Sequence, residues 1–219
     1  MHYAFELGRE WKLSFAEIES LFGSTSVRTV SPKLATIEVD YTTPEMQAFT
    51  ARMGGIIRAF VIIDSLRDAR GFGPRVAKEL QGRDLEKRIT FGLGTIGGPE
   101  SGIFSSGLRL KKDLKDAGHS VRLVNKDDKA AVTAVVRTEK LVESQSEFFL
   151  LATTPNALSL ARTIYIQDID AYSARDMGKT RDMEVGMLPP KLAQMMINLA
   201  LGNTPVSTKI AIFDPFCGL

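Results

Sequence analysis

Ile210-Ala211-Ile212-Phe213-Asp214-Pro215-Phe216-Cys217-Gly218-Leu219 is the stretch from which the rest of the chain takes its meaning. A short apolar run that breaks at Asp-Pro and reaches a glycine reads as a buried strand followed by a tight turn. In an α/β sheet a helix normally follows such a turn. A strand of this kind needs parallel neighbours and crossover helices, and each crossover takes a dozen or more residues. The run therefore predicts the opening of an α/β domain, and most of the 219 residues are read as what precedes it.

Immediately upstream, residues 168–190 mix alternating charges with glycines and prolines, the pattern of a linker or a packed loop. Pro189-Pro190 then starts a helix in which Leu192, Met195, Met196 and Leu199 recur at helical spacing, and Gly202 ends it. Met195, Met196 and Leu199 are read as core contacts between that helix and the domain that follows.

Further back, residues 87–91 predict a strand, residues 92–106 a loop dense in Gly and Ser, and residues 108–117 a helix. That helix gathers Leu110, Leu114 and Ala117 on one face and stops at Gly118. Residues 120–124 form a strand with Arg122 opposite Val121 and Leu123. Residues 130–141 fit either a helix, with Ala131, Val135 and Thr138 on one face, or a strand; the helix is preferred. Residues 147–152 and 163–167 predict two more strands.

At the start of the chain, residues 2–7 alternate and break at Gly8. Ser14 reads as an N-cap, with Glu17 in capping-box position and Phe15, Ile18, Leu21 and Phe22 on one helical face up to Gly23. Residues 34–39 alternate again, Thr43-Pro44 opens a helix to about residue 53, and residues 56–63 form an apolar run that reads as an interior strand. With a short helix over 74–80, this β-α-β-α-β order resembles much of a ferredoxin-like α+β unit.

The 28 basic and 26 acidic residues give a net +2, so any surface for a polyanion must be local. The single cysteine, Cys217, excludes an internal disulfide and agrees with a reducing compartment. No apolar run reaches the roughly 18 residues of a spanning helix, and the first ten residues lack a signal-peptide pattern. The expectation is a soluble, cytoplasmic protein with no membrane partner.

Two groups of residues invite a chemical reading. A carboxylate at the end of a buried strand, followed by a glycine turn with free N–H groups, suits a small polar ligand; it is also an ordinary strand end. Arg109, Lys111, Lys112 and Lys115 surround one helix, with Arg122 on the next strand. They form either a phosphate-facing surface or a plain solvated helix face. Arg175, Lys179 and Arg181 either pair with Asp176, Asp182 and Glu184 or face RNA.

Several ordered motifs together carry a family resemblance. Tyr172-Ser173-Ala174-Arg175-Asp176-Met177-Gly178-Lys179-Thr180-Arg181-Asp182, Gly186-Met187-Leu188-Pro189-Pro190-Lys191-Leu192-Ala193, Asn198-Leu199-Ala200 and Asp214-Pro215-Phe216-Cys217-Gly218 resemble the centre of the THUMP-containing tRNA guanosine N2-methyltransferases of archaeal and eukaryotic type. Phe5-Glu6-Leu7-Gly8 with Leu13-Ser14-Phe15-Ala16-Glu17-Ile18 resembles that family's N-terminal ferredoxin-like domain. Phe91-Gly92, Leu110-Lys111-Lys112-Asp113-Leu114-Lys115, Gly118-His119-Ser120-Val121-Arg122 and Lys140-Leu141 resemble its THUMP domain.

The resemblance implies an α+β chain with a ferredoxin-like domain at 1–82, a THUMP-like RNA-binding domain at 83–167, a linker with a helix at 168–206, and the first strand of a Rossmann-like methyltransferase domain at 207–219. It implies S-adenosyl-L-methionine held by Asp214, Pro215, Phe216 and Gly218. It also implies tRNA contacts from Arg109, Lys111, Lys112, Lys115, Arg122, Arg175, Lys179 and Arg181, and methylation of a guanosine N2 at the base of the D arm. A small methyltransferase activator subunit is left open as a further partner.

This chain departs from the family in two ways. Arg175-Asp176-Met177-Gly178-Lys179-Thr180 stands where the family commonly has Arg-Asp-Pro-x-Lys-Pro, and no Asp- or Asn-Pro-Pro-Tyr motif is present. No catalytic residue is therefore assigned. A non-catalytic RNA-binding module and a fragment of a DNA base N-methyltransferase are the alternative readings.

Overall fold

A computed structural model describes the chain except for Thr25, Leu85, Glu86, Pro155, Ile212 and residues 179–187, 205–208 and 214–219. It is a mixed α+β fold. Strands β1 (His2–Leu7), β2 (Val27–Ser31), β3 (Leu34–Glu38), β4 (Ile56–Leu66), β5 (Ile89–Ile96), β6 (Val121–Leu123), β7 (Glu147–Thr154) and β8 (Ala157–Ile166) form one sheet in the order β2-β3-β1-β4-β8-β7-β5-β6. Pairing is antiparallel except that β5 runs parallel to both β6 and β7. The pairing of β4 with β8 joins the N-terminal strands to the later ones.

Helices α1 (Trp11–Phe22) and α2 (Thr43–Ala51) cover one part of the sheet, over a core that includes Tyr3, Phe5, Ile18, Leu21, Met46 and Ile56. Helices α3 (Phe72–Gln81) and α4 (Ile103–Asp116) cover another, over Val76, Leu80, Phe91, Leu110, Leu114 and Phe148. On the opposite face, Ala4, Leu34, Phe60, Phe149, Leu151 and Ala161 form a third cluster. Arg28 on β2 and Thr153 on β7 line one cavity on this side although four strands lie between them, so this face is concave. Burial on both faces explains why β4 and β7 carry nearly continuous apolar runs.

The first helix starts earlier than the sequence rule predicts. Ser14 is not its N-cap but lies buried inside α1, its hydroxyl donating to the Glu10 carbonyl at 3.2 Å. Glu17 does not close a capping box. Its carboxylate accepts from the Gly54 and Gly55 N–H groups, each at 2.9 Å, and from the Asn198 amide at 2.6 Å. A Cβ on Gly54 would lie 2.2 Å from the Lys191 carbonyl oxygen, and one on Gly55 would lie 2.6 Å from the Ser14 hydroxyl. The pair of glycines lets both helices approach this turn.

Residues 92–96 continue β5 rather than forming a loop, because the absent side chain at Gly94 leaves room for the Phe149 ring, whose Cε1 would lie 2.4 Å from a Cβ there. Residues 103–106 already belong to α4, which buries Ile103, Gly107, Leu110 and Leu114 and leaves Ala117 exposed. β2 was unanticipated, and β8 begins at Ala157.

Within 130–141 the helix is α5 (Thr133–Thr138), and it buries Val136 rather than the Ala131–Val135–Thr138 face. The linker begins as a helix, α6 (Ile169–Met177), whose N-cap Asp168 accepts from Ala171 N–H at 3.0 Å.

Helix α7 (Pro190–Leu201) starts and stops as its prolines and Gly202 predict, but it packs onto α1. Met195 is buried there beside the Gly54 turn, whereas Met196 and Ile197 are exposed. The anticipated last strand is absent at 209–211 and at Phe213; Phe213 is 86% exposed. Among the described strands none lies alongside these residues, and an unpaired strand leaves its backbone polar groups to water. Among the described residues, no helix is long and apolar enough to cross a membrane.

Replacing Glu17 by Ala removes the acceptor of three buried donors and is expected to cost about 2–4 kcal/mol in chemical denaturation. Asn198→Ala is expected to cost about 1–3 kcal/mol, because the Glu17 carboxylate and the Arg52 carbonyl are each deprived of a donor. Burial holds the Glu17 carboxyl above its ordinary range, against the opposing donors. The folded state thus binds this proton more tightly than the unfolded chain does. Its contribution to stability is present at low pH and is lost as pH rises through the folded-state pKa. Subtracting the Glu17→Gln profile from the parent profile should isolate a stability difference that declines from about pH 4 upward.

Candidate nucleic-acid interface

Helix α4 carries most of the predicted cations, and its geometry separates them. Leu110 and Leu114 face the core, which turns Arg109 toward α3 and places Lys111 and Lys115 on the other flank, with Lys112 outermost. Arg109, Lys112 and Lys115 are exposed and Lys111 half-buried. Among the described residues none of the four forms an ion pair. An α4 helix that only needed solvation would serve equally well with its charges paired.

Between α3 and the first turns of α4 lies a cleft of about 550 Å³, lined in part by Arg70, Gly73, Ser105, Ser106 and Arg109. Gly102 precedes the helix with a φ of 92° and offers no side-chain cap. The cap comes from elsewhere in the chain: Asp128 accepts from the Phe104 N–H at 2.7 Å. The cleft thus combines a helix N-terminus with an arginine one and a half turns further on, an arrangement that attracts anions. Asp113, also in its lining, moderates the charge.

The remaining predicted cations do not join this surface. Arg122 alternates outward from Val121 as expected, but its guanidinium pairs with Glu139 at 2.8 Å. Arg175 lies on α6, stacked 5.1 Å from the Tyr172 ring centroid, with Lys191 at 5.2 Å from the same ring. Lys191 also donates to Gln167 at 2.5 Å, and Tyr172 donates to Gln194 at 2.7 Å. Burial lowers the Lys191 pKa and raises that of Tyr172. These contacts dock α6 and α7. Lys179 and Arg181 lie outside the described residues, as do Asp214, Pro215, Phe216 and Gly218 of the anticipated cofactor turn. Among the described residues there is no group of three or more His, Cys, Asp or Glu that could hold a metal ion.

The sequence alone does not mark Arg70, Ser105 or Ser106: the Gly-Ser density of 92–106 suits a loop as well as the start of a helix.

Neither a protein-family model nor a curated protein sequence matches this chain. Among solved structures it is similar to TrmN from Thermus thermophilus, with a TM-score of 0.51 and 13% identity over 91% of this chain. A second likeness, to a 4-thiouridine synthetase in a complex with RNA and bound ATP, has a TM-score of 0.42 and 12% identity over 76% of this chain and 41% of that one. The first is a likeness of fold; the second is too weak to show even that. This chain spans about half of TrmN, 55% of its length.

Because Asp128 supplies the cap, Asp128→Ala should destabilise the chain by about 1 kcal/mol, whereas Asp128→Asn, which keeps an oxygen acceptor, should cost less. Thermal or denaturant unfolding of the two variants side by side checks this.

Proposed function

We propose that this chain is the RNA-binding portion of an S-adenosyl-L-methionine-dependent enzyme that methylates guanosine N2 in tRNA. The observation that carries the RNA part is the set of cations on α4, without ion pairs among the described residues, beside the α3/α4 cleft. The fold held in common with TrmN over most of the chain supports it. The methyl-transfer part rests on the resemblance of Asp214-Pro215-Phe216-Cys217-Gly218 and the motifs before it to the tRNA guanosine N2-methyltransferases.

On this reading α4 supplies affinity rather than sequence choice. Lysines and arginines that meet phosphates position an RNA without reading its bases. The division proposed is a ferredoxin-like unit at 1–82 and a THUMP-like unit at 83–167, acting together on folded tRNA. Residues 168–206 then lead toward the cofactor-binding part. Arg122, paired with Glu139, and Arg175, stacked on Tyr172, brace their own elements and stand apart from this surface.

A guanine exocyclic amine is a weak nucleophile, since its lone pair is delocalised into the ring. A methylating site must therefore align it with the methyl sulfonium, and a paired base must first leave its stack at a cost of a few kcal/mol. Such a site needs residues beyond those that this chain shares with the family. The absence of an Asp- or Asn-Pro-Pro-Tyr motif favours the second reading, in which this polypeptide by itself binds RNA and does not methylate it.

The test is binding of a tRNA transcript, measured by fluorescence anisotropy across a salt series. Changing Lys111, Lys112 and Lys115 together to Ala should weaken binding of all tRNAs alike. The slope of log affinity against log salt should also flatten, by up to about 0.9 for each phosphate that is no longer neutralised. Arg109→Ala should act in the same direction. Unchanged affinity and slope would make these residues solvent-facing and remove the basis for the reading.

A further inference from the structure

On β8 the residues that face the helix layer alternate as Leu160, Arg162 and Ile164. Leu160 belongs to the core under α3 and α4, and Ile164 to the core under α1 and α2. Arg162 stands between the two cores, on the floor of a seam bounded by the C-terminal end of α3 and the N-terminal end of α2. Two cavities of about 490 and 500 Å³ meet there and share Arg162, Glu143 and Gln145.

Among the described residues the seam gathers Arg83, Lys87, Arg88 and Arg162 against Glu79, Asp84 and Glu143, and Arg162 is poorly satisfied. The Nε of Arg162 is buried and has no hydrogen-bond partner, and its Nη1 reaches Glu79 only at 3.8 Å. Arg83, in the same seam, is fixed by the turn after Val142: its Nη1 donates to the Ser144 carbonyl at 2.8 Å and to the Ser146 hydroxyl at 2.6 Å, and its Nη2 to the Gln145 carbonyl at 2.7 Å. Burial and then the like charge of Arg162 lower the Arg83 pKa, so the two guanidinium groups repel across the seam. Arg88, which has no ion pair among the described residues, and Lys87, 3.9 Å from Asp84, stand at the rim.

A half-buried guanidinium with an unsatisfied N–H calls for an acceptor with several oxygens. Phosphate, with oxygens spaced to meet two guanidinium N–H groups at once, fits that need better than the single long contact from Glu79. We infer that the α2/α3 seam binds a phosphate group on Arg162, with Arg83, Arg88 and Lys87 supplying the surrounding field. Glu79 is the internal competitor that the ligand displaces. Two sources share this chemistry, a backbone phosphodiester of a bound RNA and a free phosphorylated small molecule.

The RNA source rests on the function proposed above. It has geometric support: α3 lines the seam with Glu79 and the α3/α4 cleft with Gly73, Pro74 and Ala77, so the two sites flank one helix about 15 Å long. A strand crossing α3 would present phosphates to both.

The experiment uses the full chain and two probes, inorganic pyrophosphate read by thermal shift and a tRNA transcript read by anisotropy. Three variants are compared with the parent: Arg162→Gln, Arg162→Lys and Glu79→Gln. The expected result is that pyrophosphate raises the parent's Tm, that Arg162→Gln abolishes the rise, and that Glu79→Gln increases it. If RNA is the source, Arg162→Gln also weakens tRNA binding about tenfold at low salt and lowers the salt slope by about one, with Glu79→Gln acting oppositely.

A response to pyrophosphate without any change in tRNA binding assigns the site to a free phosphorylated ligand. The same response in a chain that binds no tRNA keeps the seam and removes the function proposed above. If Arg162→Gln does not fold, Glu79→Gln alone decides by the sign of its effect. Pyrophosphate and tRNA responses that are both unaltered in Glu79→Gln and in a folded Arg162 variant overturn the inference.

Discussion

The fold depends on a buried cation. Arg58 lies in β4, is almost fully buried, and stands where the N-terminal strands meet the later ones. Its guanidinium donates to Glu6 on β1 at 2.8 Å and to the Ala131 carbonyl at 2.5 Å. It also lies 3.5 Å from Glu147 on β7 and 5.4 Å from the Phe149 ring centroid. Thr163 on β8 donates to the same carboxylate at 2.6 Å. Four strands and the segment before α5 thus converge on one charge group. Burial drives the Glu147 carboxyl above its ordinary range, and Arg58 opposes that shift. Such a cluster adds little net stability over an apolar replacement, but losing one partner would strand a charge at a cost of about 3–5 kcal/mol. What the cluster provides is register: a slip of one residue in β4 or β8 would put Arg58 and Thr163 on the wrong face.

That role bears on how much was legible in the sequence. The apolar runs at Ile56 and Glu147, the Thr43-Pro44 start of α2 and the Gly118 and Gly202 stops all express local rules, and a local rule can be read from a local stretch. The failures share a cause, which is that a distant partner prevailed over the local one. Ser14 and Glu17 have capping-box spacing, yet a carboxylate that finds two glycine N–H groups and an amide 181 residues away does better there than at its own helix end. Gly92 and Gly94 resemble loop residues until Leu141, Val124 and Phe149 fill the space that their side chains would occupy. β2 is short and carries Arg28 and Thr29, and it becomes a strand through its pairing with β3.

Legibility of the site divides in the same way. The cations of α4 could be named from the sequence, but which of them are free could not. Arg122 and Glu139 are 17 positions apart and belong to different elements, so their pairing had no local signature. Arg162 did leave one: a single arginine on the otherwise apolar face formed by Leu158, Leu160, Ile164 and Ile166 is costly unless something receives it. A strand predicted only from Thr163 onward leaves that arginine outside it and hides the signal.

Helix α7 shows what the buried polar contacts achieve together. It is held at two points on one face. Near its start, Lys191 donates to Gln167, whose amide donates to the Gly54 carbonyl at 3.2 Å; two turns on, Asn198 reaches Glu17 and the Arg52 carbonyl. Both lines end on the turn between α2 and β4, and the attachments are about 10 Å apart along the helix. One attachment would leave the helix free to pivot, whereas two fix its axis relative to the sheet. The direction in which the chain leaves α7 is therefore set by the same turn that begins β4, the strand that carries Arg58. The cations on α4 and the C-terminal end of α7 are then both referred to the one sheet on which α1, α4 and β4 sit.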